Sequence, residues 1–417
     1  MEGRGGVDHT GVAATGRAAR YGREAVMDDT FRAAGARSRR MRVVAVTGTS
    51  GKTTTAWITA SVLAEAGFRV GVVSDLGCVD ADGTLVGVLD RTRPDAVAEW
   101  IATLARGGCT HAVVEVPHAL LMAGAAGRGT CDTVVVTGPP REPRDERPSR
   151  AGLVRRIVAA LAPDGCLVAP GDRRLAGLFA AASRRGGLTA LTAGLDDACD
   201  VSARPVERGL HGQTFLASAG GGTVPMSVDV PIASFARNAV CAAAVGLRCG
   251  VPLEVAARGI EACGSVAGRV ERLDRGQEFA AFLDSPSSGH ALASTLASLR
   301  RLTRGRLAVI AEQRVADVLG AAGFARPVRR RCDDVVVVPA GVLDDDADQT
   351  ALAAYARIDR LLGRLGAGDC LLVLDGSGAA AWPGHPGGGV PLATLVDGWL
   401  RLAHPPRRAV GGGRRAA

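Results

Sequence analysis

Residues 43–55 read VVAVTGTSGKTTT. The stretch is apolar up to Thr47, the pattern of a strand buried on both faces. Gly48, Thr49, Ser50 and Gly51 then make a glycine-bracketed turn, and Lys52, Thr53 and Thr54 open a segment at helical spacing that runs to residue 66. A strand that enters such a turn and leaves through a helix N-terminus gathers backbone N–H groups and the positive end of the helix dipole at one point. That point suits a phosphate. In this arrangement Lys52 reaches the β- and γ-phosphates of a nucleotide, and the Thr53 hydroxyl meets its Mg²⁺. The seven residues 48–54 are therefore the expected nucleotide contacts. The competing reading is an ordinary glycine turn between a strand and a helix.

The cation usage of the chain decides between the two. Of its 50 basic residues, 49 are Arg and one is Lys, and that one is Lys52. Arg carries a broad planar fork, whereas Lys carries a compact ammonium on a thin stem. A site that threads a single point charge between phosphates accounts for the exception. The loop is shorter than the eight-residue G-x-x-x-x-G-K-[ST] form, because Val46 stands where that form has its first Gly.

Outward from this loop the texture repeats. Apolar runs at 69–74, 111–116 and 133–137 alternate with segments at helical spacing such as 94–106, which predicts a parallel sheet covered by helices. Residues 167–168 and 188–192 extend the sheet, with a crossover helix over 173–184. Residues 203–230 are Gly-rich and alternating, as in an antiparallel hairpin annex, and helices are expected over 235–249 and 253–263. A second strand–helix series starts near Phe279 and continues through 306–310, 334–338 and 370–374. The expected fold class is α/β. It consists of a P-loop central domain with a mostly parallel sheet and a smaller, doubly wound C-terminal domain. The boundaries follow as a basic tail over 1–41, a central ATP-binding domain over 42–267, a C-terminal domain over 268–404 and a basic tail over 405–417.

Composition narrows the function classes. With 417 residues, two or three domains are expected, and 47% hydrophobic with 22% charged residues excludes wholesale disorder. No run of 18 uncharged apolar residues occurs, so no membrane partner is expected. The net charge of +8 resides in the two ends, and aromatic residues make up 3%. A neutral body without stacking platforms argues against a nucleic-acid partner. Ten cysteines without a C-x-x-C pair argue against zinc and a disulfide framework, and point to a reducing, cytoplasmic setting. The acidic run 344–348 lacks the glycine and closing Glu of a calcium loop. His118 and His290 stand singly, as loop or cap residues do.

The short GT-x-GKT-T loop resembles that of the Mur ligases, the ATP-dependent enzymes that add amino acids to the peptidoglycan precursor. Further segments resemble the family in the same order along 42–400, most closely its members that add the third residue of the stem peptide. They are RTRPDA (91–96), HAVVEVPHAL (111–120), CDTVVVT (131–137), FARNA (235–239), GRVERLD (268–274) and DSPSSGHAL (284–292). The resemblance implies that ATP phosphorylates a small-molecule or peptide-like carboxylate and that an amino acid then attacks the acyl phosphate. It implies catalytic roles for Lys52 and Glu115, Mg²⁺ contact by Thr53 and Glu115, and adenine and ribose contact by Asn238 and Asp284. Read from the residues alone, Glu115 is a solvated strand-end acid just as well, and Asn238 and Asp284 are ordinary helix-start or turn residues.

The departures bear on activity. The family's TN-x-x-x-DHLD motif becomes TGPPREPR (137–144), which removes a metal-binding His and leaves Glu142 as the nearby acid. The helix expected over 149–162 contains no lysine for the family's carbamate, and Arg155 or Arg156 cannot form one. DNPR becomes PAGV (339–342), GKGHE becomes DGSG (375–378), and the family's N-terminal UDP-binding domain shrinks to some forty residues. One Mg²⁺ rather than two is therefore expected. Three readings compete: a ligase, a non-catalytic ATP-binding relative with a regulatory or scaffold role, and a simple ATPase.

Overall fold

The apolar run that opens the loop becomes strand β1 (Arg42–Thr47) in the computed structural model, which describes residues 41–90, 92–93, 95–138, 150–172, 175–185, 187–339, 349–376 and 392–403. Residues 1–40 of the expected N-terminal tail, the expected C-terminal tail, Glu142 and the acidic run 344–348 lie outside the described residues, as do parts of the 339–342 and 375–378 segments. Side chains alternate along a strand, and both faces of β1 are covered. Val43 and Ala45 join a core with Ile101, Leu104, Leu153 and Ile157, while Val44 and Val46 are equally buried.

After β1 come helix α1 (Lys52–Glu65), strands β2 (Val70–Ser74), β3 (Gly77–Val79) and β4 (Leu85–Gly87), and α2 (Ala96–Arg106). Next are β5 (His111–Glu115), α3 (His118–Met122), β6 (Cys131–Val136), α4 (Arg150–Ala160), β7 (Leu161–Ala169), α5 (Ala176–Arg185) and β8 (Thr189–Gly194). Strands β9 (Val201–Gly209), β10 (Gly212–Ala219) and β11 (Gly222–Val228) form the annex, followed by α6 (Ala233–Arg248) and α7 (Leu253–Cys263).

The second series runs β12 (Arg269–Arg272), β13 (Ala280–Asp284), α8 (Gly289–Leu302), β14 (Leu307–Glu312), α9 (Gln313–Gly320) and a π-helical turn (Ala321–Ala325). It ends with α10 (Arg326–Arg331), β15 (Asp334–Val338), α11 (Gln349–Leu362), β16 (Cys370–Leu374) and α12 (Leu392–Ala403).

The first sheet has the strand order β11-β10-β9-β8-β7-β6-β1-β5-β2-β3-β4. From β2 through β8 the pairings are parallel by way of β5, β1, β6 and β7. The mostly parallel sheet expected from the βα texture is thus present. From β1 the chain runs out through β2 to β4 on one side, returns to β5 beside β1, and then builds β6 to β11 on the other side, so the strand order reverses beside β1. In open α/β sheets that crevice at the strands' C-terminal ends is where ligands bind. Two features depart from the simple βα reading. The antiparallel hairpin β3–β4 extends one edge; its turn is held by Asp80, whose Oδ1 accepts from the Asp82 and Thr84 amides. Strand β7 is nine residues long and follows α4 without a loop, so it begins six residues before the run at 167–168.

The second sheet has the order β12-β13-β16-β14-β15. Its last four strands pair in parallel, and β12 joins antiparallel. Leu283, Ala308, Ile310, Leu371 and Val373 form its core with Ile358, Leu392, Val396 and Leu400 of α11 and α12. By internal contacts the chain divides into two compact units. One comprises residues up to Ala203, Ala217–Val224 and Arg237–Ile260; the other comprises Arg204–Leu216, Pro225–Ala236 and residues from Glu261 onward. All ten cysteines are free thiols, and burial pushes those of Cys131 and Cys241 up to about 12. Among the described residues no helix is long and apolar enough to cross a membrane.

Helix α1, which starts at the loop, is fixed from behind by α7. The Ser61 hydroxyl donates to the Gly259 carbonyl at 2.7 Å, and a Cβ at Gly259 would stand 2.6 Å from Val62 Cα and 3.0 Å from the Ser61 carbonyl oxygen. Backbone cannot yield as a side-chain tip can. Gly259→Ala should therefore cost about 1–3 kcal/mol of overpacking, which outweighs the roughly 1 kcal/mol that Ala adds to a helix interior. Urea unfolding should show a lower midpoint, and an unchanged or higher midpoint would refute this packing.

Candidate functional site

The turn after β1 is shaped by its two glycines. Gly48 has φ +138° and Gly51 has φ +81°, values that residues with a Cβ rarely adopt. Space forbids a side chain at either position too. A Cβ on Gly48 would lie 2.4 Å from Thr137 Oγ1, and one on Gly51 would lie 2.7 Å from Asn238 Oδ1. Thr137 follows β6, the strand that pairs with β1 through Thr47 and Val136. Its amide donates to the Thr47 carbonyl at 2.9 Å, and its hydroxyl donates to the Ser50 carbonyl at 2.6 Å. The loop between Thr49 and Gly51 is therefore held at its base by β6 and flanked by α6.

Helix α1 begins immediately after Gly51. No side chain caps its N-terminus, and its first turn holds no acidic residue. The positive end of the dipole is left for an anion from outside the chain. Below it, the Lys52 ammonium lies 3.7 Å from Glu115 Oε1, with side-chain exposures of 13% and 0%. The Thr53 hydroxyl donates to Glu115 Oε2 at 2.8 Å, and the Asp75 amide donates to the same oxygen at 3.3 Å. Glu115 ends β5, next to β1 in the sheet, which delivers it beneath the loop. The reading of Glu115 as a solvated strand-end acid is thereby excluded.

Burial is the main cause that raises the Glu115 carboxyl above its ordinary range, and the neighbouring Asp75 carboxylate adds to it; Lys52 and the Thr53 hydrogen bond pull the other way. Glu115 Oε1 accepts no hydrogen bond from the protein. A buried carboxylate oxygen in that state invites a cation. The donors on offer, a threonine hydroxyl and a carboxylate, are hard oxygen ligands of the kind Mg²⁺ takes, usually one or two from protein with the rest from phosphates and water. Among the described residues no three His, Cys, Asp or Glu side chains are grouped to hold a metal on their own.

Lys52, Thr53, Glu115 and Asn238 are brought together in the first unit. Asn238 lies on the second turn of α6 and is 7% exposed, so it is no helix-start cap. Asp284 belongs to the second unit, where it closes β13 at 5% exposure rather than sitting in a turn. Burial pushes its carboxyl up to about 6, against the Arg269 charge, the Thr295 hydroxyl and two backbone amides. Arg155 is exposed on α4. Two residues of the site escaped the sequence reading. Asp75 follows β2 as Glu115 ends β5, and Thr137 closes VVVT as Thr47 closes VVAVT. In each case the adjacent strand end was the available signal.

Residues 46–137 match the model of the Mur ligase middle domain. The chain is 31% identical over 288 residues to the UDP-N-acetylmuramoyl-L-alanyl-D-glutamate–2,6-diaminopimelate ligase of Corynebacterium efficiens, a match covering 66% of this chain and 52% of that one. It is 29% identical over 328 residues to the UDP-N-acetylmuramyl-tripeptide synthetase of a Roseiflexus species, covering 72% and 62%. The chain spans about half the length of the first curated relatives it matches. Among solved structures, the apo form of L. casei FPGS superposes with a TM-score of 0.64 at 18% identity, covering 86% of this chain and 93% of that one. A UDP-N-acetylmuramoyl-L-alanyl-D-glutamate–2,6-diaminopimelate ligase superposes with a TM-score of 0.62 at 18% identity, covering 87% and 78%. These two likenesses concern the fold.

The raised Asp284 carboxyl gives a signed stability prediction. The folded chain holds this proton more tightly than the unfolded chain. Its stabilising effect is therefore complete below pH 3.8 and is lost as pH climbs from there through about 6. Asp284→Asn removes the penalty. Relative to the parent, the variant should gain roughly 2–3 kcal/mol in stability between pH 4 and pH 7. Denaturant titrations at the two pH values check this, and a parallel pH dependence in both proteins would sink it.

Proposed function

This chain belongs to the Mur ligase family, and from that premise we propose that it is an ATP-dependent ligase joining a carboxylate to the amine of an amino acid. The observation that carries the reading is the grouping of Lys52, Thr53 and Glu115 under an uncapped helix N-terminus at the reversal point of a parallel sheet. Such a grouping suits the phosphates of a nucleotide. In the reaction class concerned, the γ-phosphoryl group passes to the substrate carboxylate, and the amine displaces phosphate from the acyl phosphate. The chain's work is then positioning and neutralising charge.

Each residue has a role that follows from its chemistry. Lys52 brings its charge to the β- and γ-phosphates without the breadth of a guanidinium. The amides of the turn over Gly48, Thr49, Ser50 and Gly51 would face the phosphates, and the two glycines, without a Cβ, leave room for close approach. Thr53 and Glu115 would hold Mg²⁺, which supplies positive charge to the phosphate oxygens when bound. Asn238, beside Gly51, would meet the adenine side of the nucleotide. The substrates we assign are a small-molecule or peptide-like carboxylate and an amino acid of peptidoglycan precursor metabolism, in the cytoplasm.

Two measurements test the reading. Purified protein supplied with Mg·ATP, candidate carboxylate acceptors and a panel of amino acids should release phosphate in an amino-acid-dependent manner. Slow release indifferent to amino acid would favour a simple ATPase, and none at all a nucleotide-binding relative. Separately, Lys52→Ala should weaken binding of an ATP analogue at least tenfold, because a charge-assisted hydrogen bond is worth about 1.5–3 kcal/mol. Lys52→Arg should fail nearly as badly. Calorimetry giving the same Kd for parent and Lys52→Ala would remove the phosphate site from this loop.

A further inference from the structure

The backbone of the phosphate loop is set by a side chain that belongs to neither the loop nor its helix. Thr137 is 6% exposed and sits one residue past β6. Its amide donates to the Thr47 carbonyl at 2.9 Å. Its hydroxyl donates to the Ser50 carbonyl at 2.6 Å and lies 3.3 Å from the Thr47 carbonyl. One hydroxyl proton makes one principal bond, and the shorter contact identifies Ser50 as its acceptor.

The consequence follows from peptide geometry. No cis bond occurs in the described chain, and in a trans peptide the C=O and the N–H of the same plane point in opposite directions. Anchoring the Thr47 carbonyl on Thr137 turns the Gly48 N–H away from β6. Anchoring the Ser50 carbonyl on the Thr137 hydroxyl turns the Gly51 N–H away as well. Two loop amides are thus aimed off the floor that Thr137 forms, on the side where backbone N–H groups can face an anion. Gly48 belongs to the same device. Its φ of +138° and the 2.4 Å between a would-be Cβ and Thr137 Oγ1 show that the hydroxyl occupies the volume a side chain would need.

We propose that Thr137 is a positioning residue of the phosphate site, its hydroxyl holding the Ser50–Gly51 peptide in the orientation that receives a nucleotide phosphate. The inference rests on the nucleotide-binding reading above and adds to it a residue that touches no substrate. Without the hydroxyl, the Ser50 carbonyl loses its partner, and the peptide can rotate so that C=O rather than N–H faces the phosphate. Thr137→Val keeps the shape and removes the donor. Thr137→Ser keeps the donor and removes a methyl group.

The test uses the full chain and a non-hydrolysable Mg·ATP analogue, with Kd measured by calorimetry and the melting temperature measured without ligand. Thr137→Val should weaken analogue binding about tenfold, and Thr137→Ser should stay within threefold of the parent. If the valine variant does not fold, Thr137→Ala removes the same hydroxyl without added bulk and should show the same loss. A residue with a merely structural role would move the melting temperature and leave Kd alone. The proposal is overturned if valine and alanine variants bind within twofold of the parent, or if serine fails as badly as valine. A parent that binds no analogue overturns the nucleotide reading and this inference together, which separates that failure from a failure of Thr137 alone.

Discussion

The carboxylate of Glu115, with no exposure to water, sits beneath the Gly48–Gly51 loop, and groups from α1 and from the turn after β2 converge on it. Removing such a group from solvent costs several kcal/mol unless charge and hydrogen bonds offset it. Lys52, the Thr53 hydroxyl and the Asp75 amide supply the offset for Glu115. All three depend on strand order. β5 must lie between β1 and β2 for one carboxylate to meet the helix that follows β1 and the turn that follows β2. The compensation is incomplete, since burial and Asp75 still raise the carboxyl and Oε1 accepts no hydrogen bond. A site left short of positive charge in this way is suited to a divalent cation arriving with a polyphosphate.

The architecture was legible where local pattern and tertiary role coincide. β1 and β16 coincide with the expected runs, because buried parallel strands are apolar throughout and leave no ambiguity of face. The hairpin β3–β4 was missed, since its three-residue strands are too short for any period to register. Helix α8 has a cap that the sequence reading did not name: Ser288 accepts from the Ala291 amide. Within the site, Lys52 and Thr53 were legible because the loop is contiguous in sequence. Glu115 was named through the family resemblance, since its strand end alone read equally well as a solvated acid. Thr137 and Asp75 were not placed, because their parts depend on which strands become neighbours, and periodicity along one strand does not report that.

The same distinction explains why the chain keeps a single lysine. Forty-nine arginines serve it elsewhere, many in exposed pairs such as Arg93 with Asp95 and Glu99, or Arg300 with Asp333. In those places a wide fork and abundant water suit guanidinium. At Lys52 the surroundings are different. The side chain is 13% exposed, and the preceding Gly51 is closed off by Asn238. A guanidinium there would have to satisfy five donors in a plane, whereas an ammonium needs only three with free rotation. The cation stands 3.7 Å from Glu115, and a compact charge on a flexible stem can turn toward a second partner without swinging a rigid fork. The geometry around one glutamate thus selects the residue type that the composition had singled out.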